Sequence, residues 1–265
     1  MTPTALAAAA FGADPGRWPL PPVCDAEGLL LRAVAAGGQG RYGSARSDLA
    51  ELLRLAPTGR IGALAMRTRA SFHRQLGWHE VARRWDGRAI ALAGRDTEAG
   101  VDALIGLAAD ALGLARLAAS AALLQRATAL LQVAETAPPR LAIRLAWVNS
   151  ELAMAAGDGP DALKHAHRAA ELAEMALPEL RRHRVKSDVV LAAALCSAGD
   201  LVRSRDLADT ALVDTETFGL VPLRWALACL LSGIGSAAHS PVEVAQIRDQ
   251  TAAFVTRHGG RWSSR

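Results

Sequence analysis

Lysine, cysteine and aromatic residues are scarce in this chain, and each shortage removes a class of protein. Only Lys164 and Lys186 are lysines among 30 basic residues, so the positive charge is almost entirely arginine. The formal charge of +4 is small and dispersed, and by itself it does not point to nucleic acid. Cys24, Cys196 and Cys229 are odd in number, widely spaced and without a Cys-x-x-Cys. They read as reduced, mostly buried thiols of a cytoplasmic protein and not as a disulfide framework. Aromatics are 4% of the residues, and β-branched residues are also too sparse for a sheet protein. The alanine run near the start has no basic flank and no strongly apolar centre, which a secretory signal would need. The longest apolar run, residues 225–238, falls short of the ~20 residues that cross a bilayer.

What is abundant is alanine and leucine, within an apolar content of 51%. Both lose little side-chain freedom in a helix, so the composition predicts an all-α fold. Residues 1–24 are the exception: Gly12, Pro15, Gly16, Pro19, Pro21 and Pro22 crowd together, and proline disfavours helix at and before its own position. This segment is expected to be a flexible tail, with Trp18 beside its prolines either incidental or lying against a groove.

From Asp25 the pattern turns helical, with Leu29, Leu30, Ala33, Val34 and Ala36 on one side, and Gly37, Gly38 and Gly40 ending the run. A second helix is predicted over residues 42–56, stopped by Pro57. The same grammar recurs: a helix, a glycine, three turn residues, and a small residue five positions after the glycine. Gly40 pairs in this way with Ala45, Gly77 with Ala82, Gly113 with Ala118, Gly157 with Ala162 and Gly199 with Ser204, with Gly235 and Ser240 as a sixth, weaker copy. Pro138, Pro139 and Pro178 sit in the longer gaps between units.

In the first unit Gly40 at the turn, Tyr42 after it, small Ala45, apolar Leu49 and Leu52, and closing Pro57 resemble the tetratricopeptide repeat, a 34-residue helix-turn-helix unit. Later units keep small contact residues such as Ala162, Ala166 and Ala169. The resemblance covers about residues 26–257 and implies an α-solenoid of five to six antiparallel helical hairpins over residues 25–258, with a second tail at 259–265. Small residues are required because helices packed ~8–10 Å apart leave no room where the backbones come nearest; a large residue at Ala45 or Ala162 would cost about 1–3 kcal/mol.

Candidate chemistry is sparse. Residues 38–43 match G-x-G-x-x-G letter for letter, but a helix precedes them and no βαβ unit surrounds them, so the dinucleotide reading is rejected. His165 and His167 point to different sides of a helix, and no Cys/His cluster or acidic calcium loop exists, so no metal or other cofactor is expected. There is no Gly-x-Ser-x-Gly elbow. Asp86, Asp102, Asp110, Glu151 and Asp161 lie singly and read as solvated faces. The basic run Arg181-Arg182-His183-Arg184-Val185-Lys186 reads as a solvated turn, or else as a contact for an acidic partner. Trp85, Trp147 and Trp225 read as core, and Trp18, Trp78 and Trp262 as contacts to another chain.

Aligned by their turn glycines, the first helices of a solenoid line its inner wall. Those stripes carry Arg67, Ser71 and Arg74 in the second unit, Arg144, Trp147 and Glu151 in the fourth, and Lys186 in the fifth. They are the candidate partner-binding residues, suited to an acidic or carboxylate-bearing peptide because arginine gives paired hydrogen bonds to carboxylate. Ordinary solvated helix residues would look the same. The expected function is a non-enzymatic cytoplasmic scaffold, an adaptor, chaperone or regulatory sensor that holds a protein segment. Nucleic-acid or ribonucleoprotein binding, or the sensor part of a bacterial transcription regulator, are the alternatives. The apolar last unit further suggests self-association.

Overall fold

The computed structural model describes residues 4–176 and 179–264; Pro178, one of the expected inter-unit prolines, lies outside them. Thirteen α-helices and no strand are present among the described residues. A short α1 (Ala5–Phe11) is followed by α2 (Ala26–Gly38) with α3 (Tyr42–Leu55), α4 (Gly59–Gln75) with α5 (His79–Ala93), and α6 (Thr97–Gly113) with α7 (Leu117–Gln132). Then come α8 (Pro139–Ala155) with α9 (Gly159–Glu174), α10 (Arg181–Ser197) with α11 (Leu201–Thr217), and α12 (Val221–Ile234) with α13 (Pro241–Arg257). Each of these six pairs is a packed hairpin, and the first helices also pack in succession, α2 on α4, α4 on α6, α6 on α8, α8 on α10 and α10 on α12. No described helix is long and apolar enough to cross a membrane.

The turn chemistry explains the pairing. Gly40, Gly77, Gly157 and Gly199 hold φ between +77° and +87°, a left-handed conformation that glycine adopts without a Cβ penalty. Five residues on, Ala45, Ala82, Ala162 and Ser204 are fully buried between the paired helices. Ser204 Oγ donates to Ala192 O at 2.7 Å, so its hydroxyl is satisfied across the contact.

The third hairpin departs from the expected register by two residues. Its left-handed residue is Ala115, at φ 56°, and its buried contact is Ser120, whereas Gly113 still lies in α6 and Ala118 is exposed. Gly113 serves a different purpose: a Cβ there would strike the imidazole of His79. In the last hairpin Ser240 is not an interhelical contact. It caps α13, with Glu243 completing a capping box.

Both supposed tails are built into the fold. Thr4 caps α1, whose Leu6, Ala9 and Ala10 are buried, and α1 packs on α2. Phe11 touches two of the core clusters, one formed around α2 to α4 and the other around α8 to α10. Beyond it Gln39 Nε2 donates to the carbonyls of Pro15 (2.9 Å) and Arg17 (3.0 Å), and the Arg41 guanidinium lies 4.1 Å over the Trp18 ring. Proline and glycine prevent helix here without preventing packing. Residues 4–23 therefore form a strap along the array, in place of the expected flexible tail.

At the other end the chain returns to its beginning. Gly43 N donates to His258 O at 2.7 Å, Arg46 donates to Gly259 O, Trp78 Nε1 to Arg261 O at 2.7 Å, and Ser263 N to Leu76 O at 2.8 Å. Val255 of α13 and Val221 of α12 join the core that contains Tyr42. The last hairpin thus closes on the turns of the first two. Trp18, Trp78 and Trp262, expected to meet another chain, all find partners within this one; Trp262 packs 4.3 Å from Trp225. On α12, Leu227, Ala228 and Leu231 are buried within the chain and Val221 packs on the core of the first hairpins. Cys24 is exposed, and not buried as expected, while Cys196 and Cys229 are half-buried.

Candidate functional site

The six first helices α2, α4, α6, α8, α10 and α12 surround a cavity of about 300 Å³, and every residue lining it belongs to one of them. All seven residues singled out from the sequence, Arg67, Ser71, Arg74, Arg144, Trp147, Glu151 and Lys186, are part of that lining. Sequence reasoning did not select Phe72, Arg182, His183 or Trp225, which line it too. The signal for Arg182 and His183 was the basic run itself, which the structure divides. Arg181 pairs with Glu179 (2.7 Å) and Arg184 with Glu174 (3.1 Å) outside, whereas Arg182, His183 and Lys186 face inward.

The arginines on the wall are held by carboxylates from neighbouring hairpins. Asp102, 1% exposed, receives Arg67 at 3.1 Å, Arg140 at 2.6 Å and Arg144 at 2.8 Å, joining α4, α6 and α8. Arg74 spans Asp86 and Asp110, both fully buried, with Asp110 Oδ1 at 2.7 Å. Asp86, Asp102 and Asp110 are therefore not the solvated carboxylates expected from the sequence. A glycine at position 106 makes room for Asp86, since a Cβ there would strike its carboxylate. Only Glu151 and Asp161 behave as expected, with side chains 32% and 43% exposed. These ion pairs tie neighbouring helices together along the wall, and they change the role of Arg67, Arg74 and Arg144. Most of their charge is spent on neighbouring helices.

Two cations remain directed at the cavity. Lys186 Nζ lies 5.0 Å over the Trp147 ring and 3.6 Å from Glu151 at the half-exposed rim. Arg182 crosses from α10 to α2, where Nη1 donates to Val34 O at 3.0 Å. Trp147 is fixed by donation from Nε1 to Ser187 Oγ at 2.9 Å and by a stacked His183 ring with centroids 5.4 Å apart. His183 in turn touches Phe11 of the strap, over which Arg140 is placed. A continuous stack runs from Arg140 through Phe11, His183 and Trp147 to Lys186.

No family model matches the chain, and no curated protein matches it significantly. The chemistry of the cavity is therefore read from its own groups. Ser71 Oγ donates to Thr68 O of its own helix at 2.7 Å, and so is not paired with a base. Among the described residues no cluster of three His, Cys, Asp or Glu side chains is arranged to hold a metal ion. What converges is a positively charged and aromatic surface over an apolar floor that includes Val34, Phe72, Val148 and Leu223.

Burial, reinforced by Arg182, Arg140, Arg67 and Lys186, pushes the His183 pKa well below its ordinary value. The folded state then binds fewer protons at His183 than the unfolded chain, so its share of stability is complete above about pH 6.5 and is lost as pH falls below it. Asp188, raised to about 6 chiefly by burial, acts oppositely, its share being lost as pH rises from about 4 through 6. Because Asp188 contributes equally to both proteins, the difference between wild type and His183→Phe in chemical denaturation across pH 5 to 6.5 isolates the histidine: the variant is expected to lose an acid-side slope approaching ~1.4 kcal/mol per pH unit. An unchanged slope would show that His183 is already charged in the fold.

Proposed function

We propose that this chain is a non-enzymatic binding protein, a tetratricopeptide-like solenoid bent until its ends meet, which holds an acidic segment of a protein partner at the rim of its central cavity. The supporting observation is convergence: seven residues chosen only by their place on the first-helix stripes line one cavity. A solenoid offers its first helices to the inside, so a stripe prediction has that outcome. The rim supplies Lys186 as a partly exposed cation beside Trp147, the pairing of charge and aromatic surface that anchors interface contacts. An adaptor or a regulatory sensor in the cytoplasm is the role this arrangement suits.

A nucleic-acid reading needs a continuous basic stripe, and here Arg60, Arg67, Arg74, Arg140 and Arg144 are each matched by carboxylates. The observations therefore favour a protein partner.

The arginines are poor test positions because removing them leaves buried acids unpaired. Lys186 is better, being at the rim. Full-length protein carrying Lys186→Glu should capture the partner from extracts of the native cell on the order of tenfold less well than the wild type, the scale of one ~1.4 kcal/mol charge contact. Equal capture by the two proteins would overturn the rim assignment.

A further inference from the structure

Arg182 is the one cavity-lining arginine that pairs with no carboxylate among the described residues. Arg67, Arg74 and Arg144 each have at least one, so this fold supplies a carboxylate wherever an inner arginine is structural. The single acceptor Arg182 finds is Val34 O, which uses one of the five N–H donors of the guanidinium. Gly38 is cut back for it, since a Cβ there would strike Nη1. Its charged surroundings are repulsive: burial first, and then Arg67 and Arg140, lower its pKa to about 10. A second unsatisfied group adjoins it, because Nδ1 of His183, a residue 4% exposed, has no hydrogen-bond partner.

An anionic group is what this corner lacks, and the rest of the cavity states what the anion is attached to. Phe72, Trp147, Val148, Leu223 and Trp225 form walls on which a bare inorganic ion would make no use of the apolar surface. The volume, about 300 Å³, lies at the lower end of small-molecule sites. Both ends of the array are joined around it, which favours an enclosed molecule over a threaded chain.

We propose that the inner end of the cavity binds a small apolar carboxylic acid, with its carboxylate on the free fork of Arg182 and its body against Phe72, Trp147 and Trp225. This goes beyond the partner-binding reading: the acid occupies the interior while the partner segment meets the rim at Lys186. Arginine suits the task because its planar fork matches both carboxylate oxygens. The Trp147 ring, shared between the interior and Lys186, places the two sites in contact.

The test uses the full chain and four probes: 4-phenylbutyrate, its primary amide, the peptide N-acetyl-Gly-Gly-Phe with a free carboxylate, and inorganic phosphate. Binding is read by calorimetry and by quenching of tryptophan fluorescence. The acid is expected to bind roughly tenfold or more tightly than its amide, a difference that Arg182→Met abolishes and Arg182→Lys retains in part. The unfolding midpoint of Arg182→Met should stay at or above that of the wild type, since a half-buried charge without a carboxylate partner has been replaced by an apolar chain. Equal binding of acid and amide, binding undiminished in Arg182→Met, or no binding of the acid at millimolar concentration would overturn the proposal. So would preference for the peptide acid, which assigns the carboxylate to a chain terminus, or for phosphate, which assigns the site to any oxyanion. Failure here with Lys186-dependent capture intact leaves the partner reading standing. Acid binding without such capture removes the partner reading alone.

Discussion

Asp102→Asn is expected to lower folding stability by about 3–5 kcal/mol. The carboxylate is 1% exposed and carries three guanidiniums, from Arg67, Arg140 and Arg144. An amide of nearly the same shape keeps the packing and removes the charge. Arg140 keeps Glu98 at 2.6 Å, but Arg67 and Arg144 lose the one carboxylate within salt-bridge distance, and the arginines cannot shed protons to relieve it. The loss should therefore be flat between pH 5.5 and 8. Because Asp102 joins α4, α6 and α8, the damage falls on the contacts between the second, third and fourth hairpins. For a chain of this size the melting point should drop on the order of 10 °C. Urea titrations at several pH values check both statements, and a shift below about 1 kcal/mol would show that solvent already screens the cluster.

Arg74→Met is expected to cost a similar ~3–5 kcal/mol at pH 7, but with a loss that depends on pH. Among the described residues Arg74 is the only guanidinium within salt-bridge distance of Asp86 and Asp110, both fully buried. Burial already raises the Asp86 pKa well above its ordinary value, and Arg74 is the foremost influence holding it down. Without the arginine, Asp86 rises further, so the folded variant binds a proton that the unfolded chain releases above about pH 4. Its stability should then increase as pH falls from 7 toward 5, narrowing the gap to the wild type. A gap that stays constant over this range would mean that the two carboxylates are neutralised by another route.

The contrast between these two sites shows what the sequence made legible. Hairpin turns were readable because positive-φ residues need glycine, and five of the six turns carry it where expected, at Gly40, Gly77, Gly157, Gly199 and Gly235. Ala115 broke the rule by adopting the same conformation with a side chain, and the nearby Gly113 misled because it answers to His79 instead. The inner stripe was readable because helical periodicity fixes which side chains share a face. The ion pairs were not, since their partners stand about one repeat apart: Arg74 and Asp110 are 36 residues apart, and Arg140 and Asp102 are 38. Opposite charges recurring at that spacing on first helices would have been the signal. The strap was missed for a different reason. Its proline and glycine content correctly excludes long helix, but burial of Leu6, Ala9 and Ala10 depends on a surface made by residues far along the chain.

The seam at which Arg46 reaches Gly259 spans 213 residues of sequence. Closing so long a loop costs about 1.6 kcal/mol more chain entropy than bringing together residues one repeat apart. Hairpins can therefore assemble along the array before the seam forms, and the join is the late, slow event of folding. Once made, it gives every hairpin two neighbours, so a break at one interface leaves the ends tied through the other way round. Helical repeat arrays with free ends fray from their termini; here the first and last hairpins are tied to each other at the seam.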